Sequence, residues 1–356
     1  MKIVYLADAP YPHTWRWVQH FARLGHDCEV ISFRPAEIEG ARVHYVDGVE
    51  RLGKARYLIH ARRVRRLIES LRPDLVHALH LTSYGFLGAL SNVHPFLLSV
   101  WGTDVLEAPD LTPFHRWLTR YALARADRIT ATGLHLATET TRYAPRGRPV
   151  TVVPYGVDLD RFQPASRLIR DHIVIGAASR LSPEKGLDDL IEAFAIVRRQ
   201  FGDRVSLRIA GEGPERSKLE AQIARLGLGD ALTLAGWLEH GDLPGFLQDL
   251  DIFTLPSTWE GFGVSAVEAS AMQLPVVGTN IHGIPDAVRD GATGLLVPPS
   301  DPPALAAALV RLIEDPTLRT KLGAAGREYV AKQYDWRENA LQMQRIYESM
   351  VSDPTT

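Results

Sequence analysis

Short apolar segments alternate with longer amphipathic segments along the chain, and this alternation restricts the possible folds more than any other feature. The runs IVYL at 3–6 and IVIGAA at 173–178 are contiguous in apolar residues, as are strands buried on both faces of a parallel sheet. Apolar residues at helical spacings mark the intervening segments, for example 51–71 and 187–199. The pattern predicts an α/β fold with doubly wound, Rossmann-like sheets.

The length of the chain predicts more than one domain. It has 356 residues, which is more than a single hydrophobic core usually serves. A polar stretch that contains Gly156 and Pro164 separates two series of strands and helices, and it predicts a linker. We therefore predict two Rossmann-like domains in tandem, at 1–164 and 165–336, with an interdomain cleft, followed by a further helical segment at 337–356.

Composition and charge narrow the functional classes. The formal net charge is −2, so no global positive field indicates a nucleic-acid partner. Cys28 is the only cysteine, which excludes an internal disulfide and a metal cluster built on cysteines. The N-terminal run MKIVYLAD starts directly as a strand, so we expect no signal peptide and a cytoplasmic location.

The segment STWEGFGVSAVE at 257–268 carries the strongest functional signal. It follows an apolar, strand-like run and leads through a glycine-bearing loop into a helix. Such strand-to-helix turns bind phosphates and sugars in α/β proteins. The backbone N–H groups of Phe262, Gly263 and Val264 are predicted to lie where this helix starts, so they can face an anion.

Two carboxylates, Glu260 and Glu268, frame this turn. At neutral pH the Glu260 carboxylate only accepts hydrogen bonds, which suits the hydroxyl groups of a sugar. Glu268 lies on a segment that is apolar nearly all round, and a buried Glu requires a partner. We predict that Glu268 binds a ribose; an ordinary surface glutamate is the alternative.

Two cations and a glycine turn follow the next candidate strands. Arg180 and Lys185 come after strand 172–179, and together they suit a diphosphate, with a solvated loop as the alternative. Gly211 and Gly213 resemble the start of a dinucleotide fingerprint, but the third glycine is absent. A tight turn is the alternative there, and an NAD-linked oxidoreductase is the rival function that this turn suggests.

The segment 51–72 predicts a basic amphipathic helix. It carries seven Arg and one Lys against a single acidic residue, Glu69, and its apolar residues form one stripe. Such a helix can lie on an anionic membrane surface. We therefore consider peripheral contact with the inner membrane face and a lipid-linked acceptor; a solvated basic face is the alternative.

Taken together, four motifs resemble those of glycosyltransferase family four, which has the GT-B fold. They are RLSPEKG at 180–186, EGFGVSAVE at 260–268, PYGVDLDRF at 154–162 and GIPDAVRDGATGLLVP at 283–298. The similarity is weaker but collinear in the first half. It implies a hexosyltransferase that moves a sugar from a UDP-, GDP- or ADP-linked donor to a hydroxyl acceptor, with retention of the anomeric configuration.

The resemblance also implies residue roles and no required cofactor. On the donor side it implies that the diphosphate is held by Arg180 and Lys185, the transferred sugar by Glu260, the ribose by Glu268, and the nucleobase by Trp237 and Leu238. The last helix, at 337–350, would return to the first domain. The D-x-D patterns at 158–160 and 249–251 are interpreted as structural, so we expect no metal.

The first half departs from the family pattern in two loops. The loop after the first strand, APYPHTWRW, contains no glycine, and Trp101 stands where the family often has histidine. We therefore assign His13, Thr14 and Trp101 to the acceptor side, and Asp104 as a catalytic-site ligand of the sugar or acceptor. A non-catalytic nucleotide-sugar-binding protein is the second alternative function.

Overall fold

The computed structural model describes three ranges of the chain: residues 1–46, 55–165 and 171–352. Arg51 and Lys54 of the predicted basic helix lie outside the described residues. Side chains in that helix are described from Tyr57 onwards. The chain divides into two compact units, Met1–Tyr155 with Glu338–Thr356, and Gly156–Arg337.

The first unit contains a parallel sheet of seven described strands. The strands are β1 (Lys2–Leu6), β2 (Asp27–Ser32), β3 (Ala41–Tyr45), β4 (Leu75–Leu79), β5 (Phe96–Val100), β6 (Arg128–Ala131) and β7 (Val150–Val152). Their order is β3-β2-β1-β4-β5-β6-β7. The central strands β4 and β5 are buried along their whole length, as are strands covered on both faces of a parallel sheet.

Helices connect these strands and cover the sheet. They are α1 (Pro12–Arg23), α2 (Ala55–Leu71), α3 (Phe86–Ser91), α4 (Thr103–Leu106), α5 (Ala108–Leu111), α6 (Pro113–Arg125) and α7 (Leu134–Thr141). A π-helical turn, Leu81–Gly85, precedes α3. Among the described residues, no helix is long and apolar enough to cross a lipid bilayer.

The second unit contains a parallel sheet of six described strands. The strands are β8 (Ile173–Ala178), β9 (Val205–Ala210), β10 (Leu232–Gly236), β11 (Ile252–Leu255), β12 (Val276–Thr279) and β13 (Gly294–Val297). Their order is β10-β9-β8-β11-β12-β13. The helices of this unit are α8 (Leu187–Phe201), α9 (Arg216–Leu226), α10 (Leu243–Gln248), α11 (Val264–Ala271), α12 (Ile284–Ala287), α13 (Pro302–Glu314) and α14 (Pro316–Gln333). The prediction of two Rossmann-like sheets is confirmed.

Strand order places a ligand-binding crevice in each sheet. In open α/β sheets, ligands bind at the carboxyl ends of the strands where the order of the chain reverses. The reversal lies between β1 and β4 in the first unit and between β8 and β11 in the second. The loops that follow these four strands are therefore the first places to examine for a site.

Residues 156–164, which the sequence assigned to the first domain, pack with the second unit. Val157 forms a bridge with Asp335, and the Arg327 guanidinium donates to the carbonyl oxygen of Phe162 at 2.7 Å. The boundary between the two units therefore follows Tyr155 rather than residue 164.

The last helix, α15 (Trp336–Ser352), packs on the first unit through a buried polar contact. The hydroxyl of Tyr347 is hydrogen-bonded to Nδ1 of His77 at 2.8 Å and lies 3.3 Å from the hydroxyl of Tyr5. Nε2 of His77 lies 2.7 Å from the Ser99 hydroxyl. All four side chains are buried, so this chain of polar groups fixes the position of α15 on the sheet.

His77 makes the stability of the fold depend on pH. Burial lowers the pKa of His77 to about 3, whereas an unfolded histidine titrates near 6.5. The unfolded chain therefore binds an extra proton between these values, so stability is full above pH 6.5 and is lost as the pH falls toward 3. Between pH 7.5 and 5, the unfolding free energy of the wild type should fall by about 2 kcal/mol more than that of His77→Gln. Urea unfolding at both pH values measures this difference, and equal losses would contradict it.

Candidate functional site

Two predicted site residues meet where the order of the second sheet reverses. Lys185 ends the turn Pro183–Lys185 that follows β8, and Glu260 lies in the loop that follows β11. The Lys185 ammonium donates to Oε2 of Glu260 at 2.8 Å, and both side chains are largely buried. The fold thus brings together a cation and an acid that are far apart in sequence.

Close backbone packing holds these two loops together. Gly186 has φ 59°, and a Cβ there would lie 2.2 Å from the carbonyl oxygen of Pro256. The Glu184 carbonyl oxygen accepts from the N–H groups of Thr258 and Trp259, at 2.9 and 3.2 Å. Only glycine permits this approach, so position 186 fixes the Lys185–Glu260 geometry.

The loop that carries Arg180 is held by the glycine turn after β9. A Cβ at Gly211, which has φ 138°, would lie 1.8 Å from the carbonyl oxygen of Ser179. A Cβ at Gly213 would lie 2.2 Å from the carbonyl oxygen of Leu181. Packing against the neighbouring loop accounts for both glycines without a dinucleotide, as in the tight-turn alternative. Arg180 itself is exposed at the carboxyl edge of the sheet.

Hydrogen bonds and two nearby cations set the pKa of the Glu184 carboxyl in these loops. Partial burial raises the pKa of its carboxyl, but a hydrogen bond from the Ser182 hydroxyl and the charges of Lys185 and Arg180 lower it. The net result is a pKa below the ordinary value. The hydrogen bonds and the two cations together therefore stabilise the negative charge of Glu184 at this edge of the sheet.

The start of α11 lies next to the same crevice. Its N-cap, Gly263, has φ 91°. The Gly263 carbonyl oxygen accepts from the N–H groups of Ala266 and Val267, whereas the N–H groups of Val264 and Ser265 precede the first intrahelical hydrogen bond and can face a ligand. The side chain of Phe262 is buried and packs edge-on against Tyr334, so the backbone of Phe262 rather than its ring is available to a ligand. A Cβ at Gly283 would lie 2.0 Å from the Gly261 carbonyl oxygen, which holds the loop from the other side.

Glu268 is buried on α11 and has a histidine neighbour. Its Oε1 lies 3.5 Å from Nε2 of His240, which follows β10. The His240 ring in turn lies against Phe162, with centroids 5.8 Å apart. The sequence did not predict His240, because the segment LEHGD around it carries no motif and only the fold brings it to Glu268.

The predicted nucleobase residues lie further along the same edge. Trp237 follows β10, the terminal strand, and is exposed, with its Nε1 donating to Glu239 at 3.1 Å. Leu238 is partly buried beside it. The order along the edge is therefore an aromatic ring after β10, cations after β8 and acids after β11.

The predicted acceptor-side residues of the first unit form an aromatic cluster. His13 stacks on Tyr155 with ring centroids 3.9 Å apart, and Tyr11 stacks on Trp101 at 5.8 Å. Thr14 lies in the first turn of α1 and is fully buried. Tyr11 and Tyr155 lie in the segments APYPHTWRW and PYGVDLDRF, but the sequence assigned no role to either ring, because it does not show that the two segments meet.

Asp104 is buried and holds the loop that carries Trp101. Its carboxylate accepts from the N–H groups of Leu81, Trp101 and Gly102, at 2.7, 3.2 and 2.7 Å. These bonds connect the loops after β4 and β5. The described contacts of Asp104 therefore position backbone next to the aromatic cluster.

Replacing Asp104 by alanine should destabilise the protein by about 2–4 kcal/mol, because three buried N–H groups would lose their acceptor. Urea unfolding measures the loss. Asp110→Ala is the matched control, since Asp110 forms an exposed ion pair with Arg116 and should change the unfolding free energy by less than about 1 kcal/mol. Equal effects of the two substitutions would contradict the structural role of Asp104.

Both D-x-D patterns have structural contacts. Asp158 accepts from the N–H groups of Asp160 and Arg161, and Asp160 forms an ion pair with Arg337. Asp249 pairs with Arg208, and the Asp251 carboxylate accepts from the N–H of Val174. Within the described ranges, no group of three or more histidine, cysteine or acidic side chains could hold a metal ion.

Comparison with known proteins identifies the family. The model of the family Glycosyl transferases group 1 matches residues 160–329, and that of Glycosyl transferase 4-like matches residues 2–133. Glycogen synthase of Mycobacterium tuberculosis is 30% identical over 295 residues, which cover 78% of this chain and 69% of that protein. The chain belongs to the group 1 glycosyltransferases.

Solved structures show the same fold for this glycosyltransferase. Sucrose-phosphate synthase from Thermosynechococcus elongatus superposes with a TM-score of 0.86 at 21% identity, covering 99% of both chains. Anabaena HepE, solved in complex with UDP-glucose, has a TM-score of 0.80 at 21% identity and covers 98% of this chain and 100% of that one. The predicted GT-B fold is thereby confirmed.

Proposed function

We propose that this glycosyltransferase moves a hexose from a nucleoside-diphosphate sugar to a hydroxyl acceptor, with retention of the anomeric configuration. The observation that carries the proposal is the partly buried Lys185–Glu260 ion pair at the reversal between β8 and β11. The second unit would bind the donor and the first unit the acceptor. Retention is proposed from the resemblance of 260–268 to the family motif.

The leaving group would be stabilised by positive charge that is already in place. As the bond to the sugar breaks, negative charge develops on the diphosphate. Lys185, Arg180 and the first-turn N–H groups of α11 would neutralise it, and in many enzymes such preorganised groups supply most of the rate enhancement. These cations supply the charge that a metal ion supplies elsewhere, so we propose that no metal is required.

The two acids would have different roles. Glu260 would accept hydrogen bonds from hydroxyl groups of the transferred sugar while its charge is balanced by Lys185. Glu268 would accept from the ribose hydroxyls, with His240 close enough to orient its carboxylate. Trp237 and Leu238 would contact the nucleobase, which lies beyond the ribose along the edge.

The acceptor would be bound by the first unit, where His13 and Trp101 belong to the aromatic cluster and Thr14 follows His13 in α1. Asp104 would act there by holding the Trp101 loop rather than by touching substrate. We also propose that α2 contacts an anionic membrane and that the acceptor is lipid-linked. The exposed arginines of its described part, Arg62, Arg63, Arg65 and Arg66, support that contact.

The test begins with the binding of UDP-, GDP- and ADP-linked sugars, measured as a rise in the thermal unfolding temperature. With the best donor, slow release of the nucleoside diphosphate is expected even without an acceptor. Proton NMR of the anomeric signal of the transferred sugar then shows whether the product has the same anomeric configuration as the donor, as retention requires. Binding of a donor without any release would support the non-catalytic alternative. Binding of NAD with no nucleotide-sugar binding would overturn the proposal.

The ribose role of Glu268 has its own test. Wild type should bind the ribonucleoside diphosphate about tenfold more tightly than its 2′,3′-dideoxy analogue, because one or two hydrogen bonds to a charged group are lost. Glu268→Gln should bind the two ligands almost equally. Calorimetric titration measures both affinities, and an unchanged preference in the variant would exclude Glu268 as the ribose acceptor. Glu220→Gln, an exposed glutamate on α9, serves as control.

A further inference from the structure

Helix α6 exposes a row of aromatic rings. Phe114, Trp117 and Tyr121 are spaced by three and four residues, so they lie on one face of the helix. The rings of Phe114 and Trp117 are stacked with centroids 5.9 Å apart, and those of Trp117 and Tyr121 with centroids 5.3 Å apart. Phe114 and Trp117 are each 53% exposed, and Leu111, the last residue of the preceding helix α5, is 61% exposed. Clusters of exposed apolar side chains mark interaction surfaces.

The row belongs to a layer of three helices. The Trp117 ring contacts Phe86 of α3 with centroids 6.5 Å apart, and α3 packs against both α2 and α6. Helix α2 also exposes large apolar side chains, Leu58 and Ile59. The two helices that flank α3, α2 and α6, therefore both expose large apolar side chains.

The charges around these apolar groups are predominantly positive. Among the described side chains of the two helices, the exposed arginines are Arg62, Arg63, Arg65, Arg66, Arg116, Arg120 and Arg125. Arg65 and Arg116 are paired with Glu69 and Asp110, and Glu107 is a further exposed acid nearby. The Arg125 guanidinium lies over the Tyr121 ring at 5.4 Å. The surface formed by α2 and α6 therefore carries more cations than acids, although the net charge of the whole chain is −2.

We propose that α6, together with α2, binds the surface of an anionic lipid bilayer. The aromatic row would enter the interfacial region, where amphipathic rings are favoured, and the arginines would bind headgroup phosphates. Charge complementarity selects this occupant. If a second copy of the chain bound this surface in a two-fold contact, the arginines of one copy would face the arginines of the other and repel them. This inference extends the membrane contact proposed for α2. Its test measures lipid binding rather than sugar transfer, so the membrane proposal and the proposed transferase activity can fail independently.

The test is cosedimentation of the full chain with vesicles of phosphatidylcholine, alone or mixed with phosphatidylglycerol. Wild type should bind the mixed vesicles, and Phe114→Ser/Trp117→Ser should bind them at least about tenfold more weakly. Leu24→Ser/Tyr45→Ser is the matched control in the same unit, because these side chains are 51% and 47% exposed and belong to the end of α1 and to β3 rather than to α2, α3 or α6. The control should bind as wild type does.

A second variant separates charge from folding. Arg62→Gln/Arg63→Gln/Arg66→Gln changes only exposed side chains, and it should weaken binding to the mixed vesicles by about a hundredfold, as should high salt. The proposal is overturned if wild type does not sediment with the mixed vesicles, or if neither α2 nor α6 variant differs from the control. It is also overturned if the α6 variant turns an oligomer into a monomer in light scattering while vesicle binding stays unchanged.

Discussion

Replacing Lys185 by methionine is expected to lower the rate of nucleotide release from the donor by about 100- to 1,000-fold. In the wild type the Lys185 ammonium donates to Glu260 at 2.8 Å at the sheet reversal. Methionine keeps the apolar stem but removes the charge that would face the leaving diphosphate. Glu260 would also lose its partner, so an uncompensated negative charge would repel the donor.

Lys218→Met is the matched control for this experiment. Lys218 lies on α9 of the same unit, is exposed and pairs with Glu215, so its variant should keep wild-type kcat. Lys185→Arg retains the positive charge in a side chain of different shape, so its rate of nucleotide release should lie between those of Lys185→Met and Lys218→Met. If Lys185→Met and Lys218→Met release nucleotide at the same rate, Lys185 has no role in the reaction.

Replacing Gly186 by alanine should cost both stability and activity. The backbone of Gly186 is left-handed, which costs an alanine about 1 kcal/mol. Its Cβ would also lie 2.2 Å from the carbonyl oxygen of Pro256, so the loops after β8 and β11 would have to separate. We expect a total loss of about 3 kcal/mol or more. Separation would also break the Lys185–Glu260 contact, so activity should fall by about 100-fold or more.

Gly227→Ala isolates the effect of close packing. Gly227 ends α9 with φ 66° and ψ 35°, close to the φ 59° and ψ 29° of Gly186, but a Cβ there would meet no atom within 4 Å. Its variant should lose only the conformational cost and keep full activity. Urea unfolding and the nucleotide-release assay measure both quantities. Similar results for the two variants would show that the approach to Pro256 is not required.

Much of the fold could be predicted because parallel strands buried on both faces are continuous apolar runs. The runs at 3–6 and 173–178 correspond to β1 and β8, and the alternation with helices gave the correct class. Strand β13 was not predicted, because the four residues GLLV after a glycine-rich loop do not differ from a buried loop. The helices α4 and α5 have four residues each, too few to show a helical period.

Residues of the candidate site could be predicted where a charged side chain at that position has few structural roles. Two cations after a strand suggest an anion, and an acid in an apolar helix requires a partner. Strand order could not be read from the sequence, so the contact of Lys185 with Glu260 was not predicted. The buried contacts of Asp104 and the proximity of His240 to Glu268 were missed for the same reason, since each joins segments that only the fold brings together.

The central claim is that the edge carrying Arg180, Lys185 and the start of α11 holds the diphosphate of the donor. Calorimetric titration of the protein with a nucleoside diphosphate and with the matching nucleoside tests it most directly. We predict that wild type binds the diphosphate at least about 100-fold more tightly, because in the proposed mode two cations and a helix N-terminus would contact it. We also predict that Lys185→Met removes most of this difference. Equal affinities for the two ligands in the wild type would contradict the account.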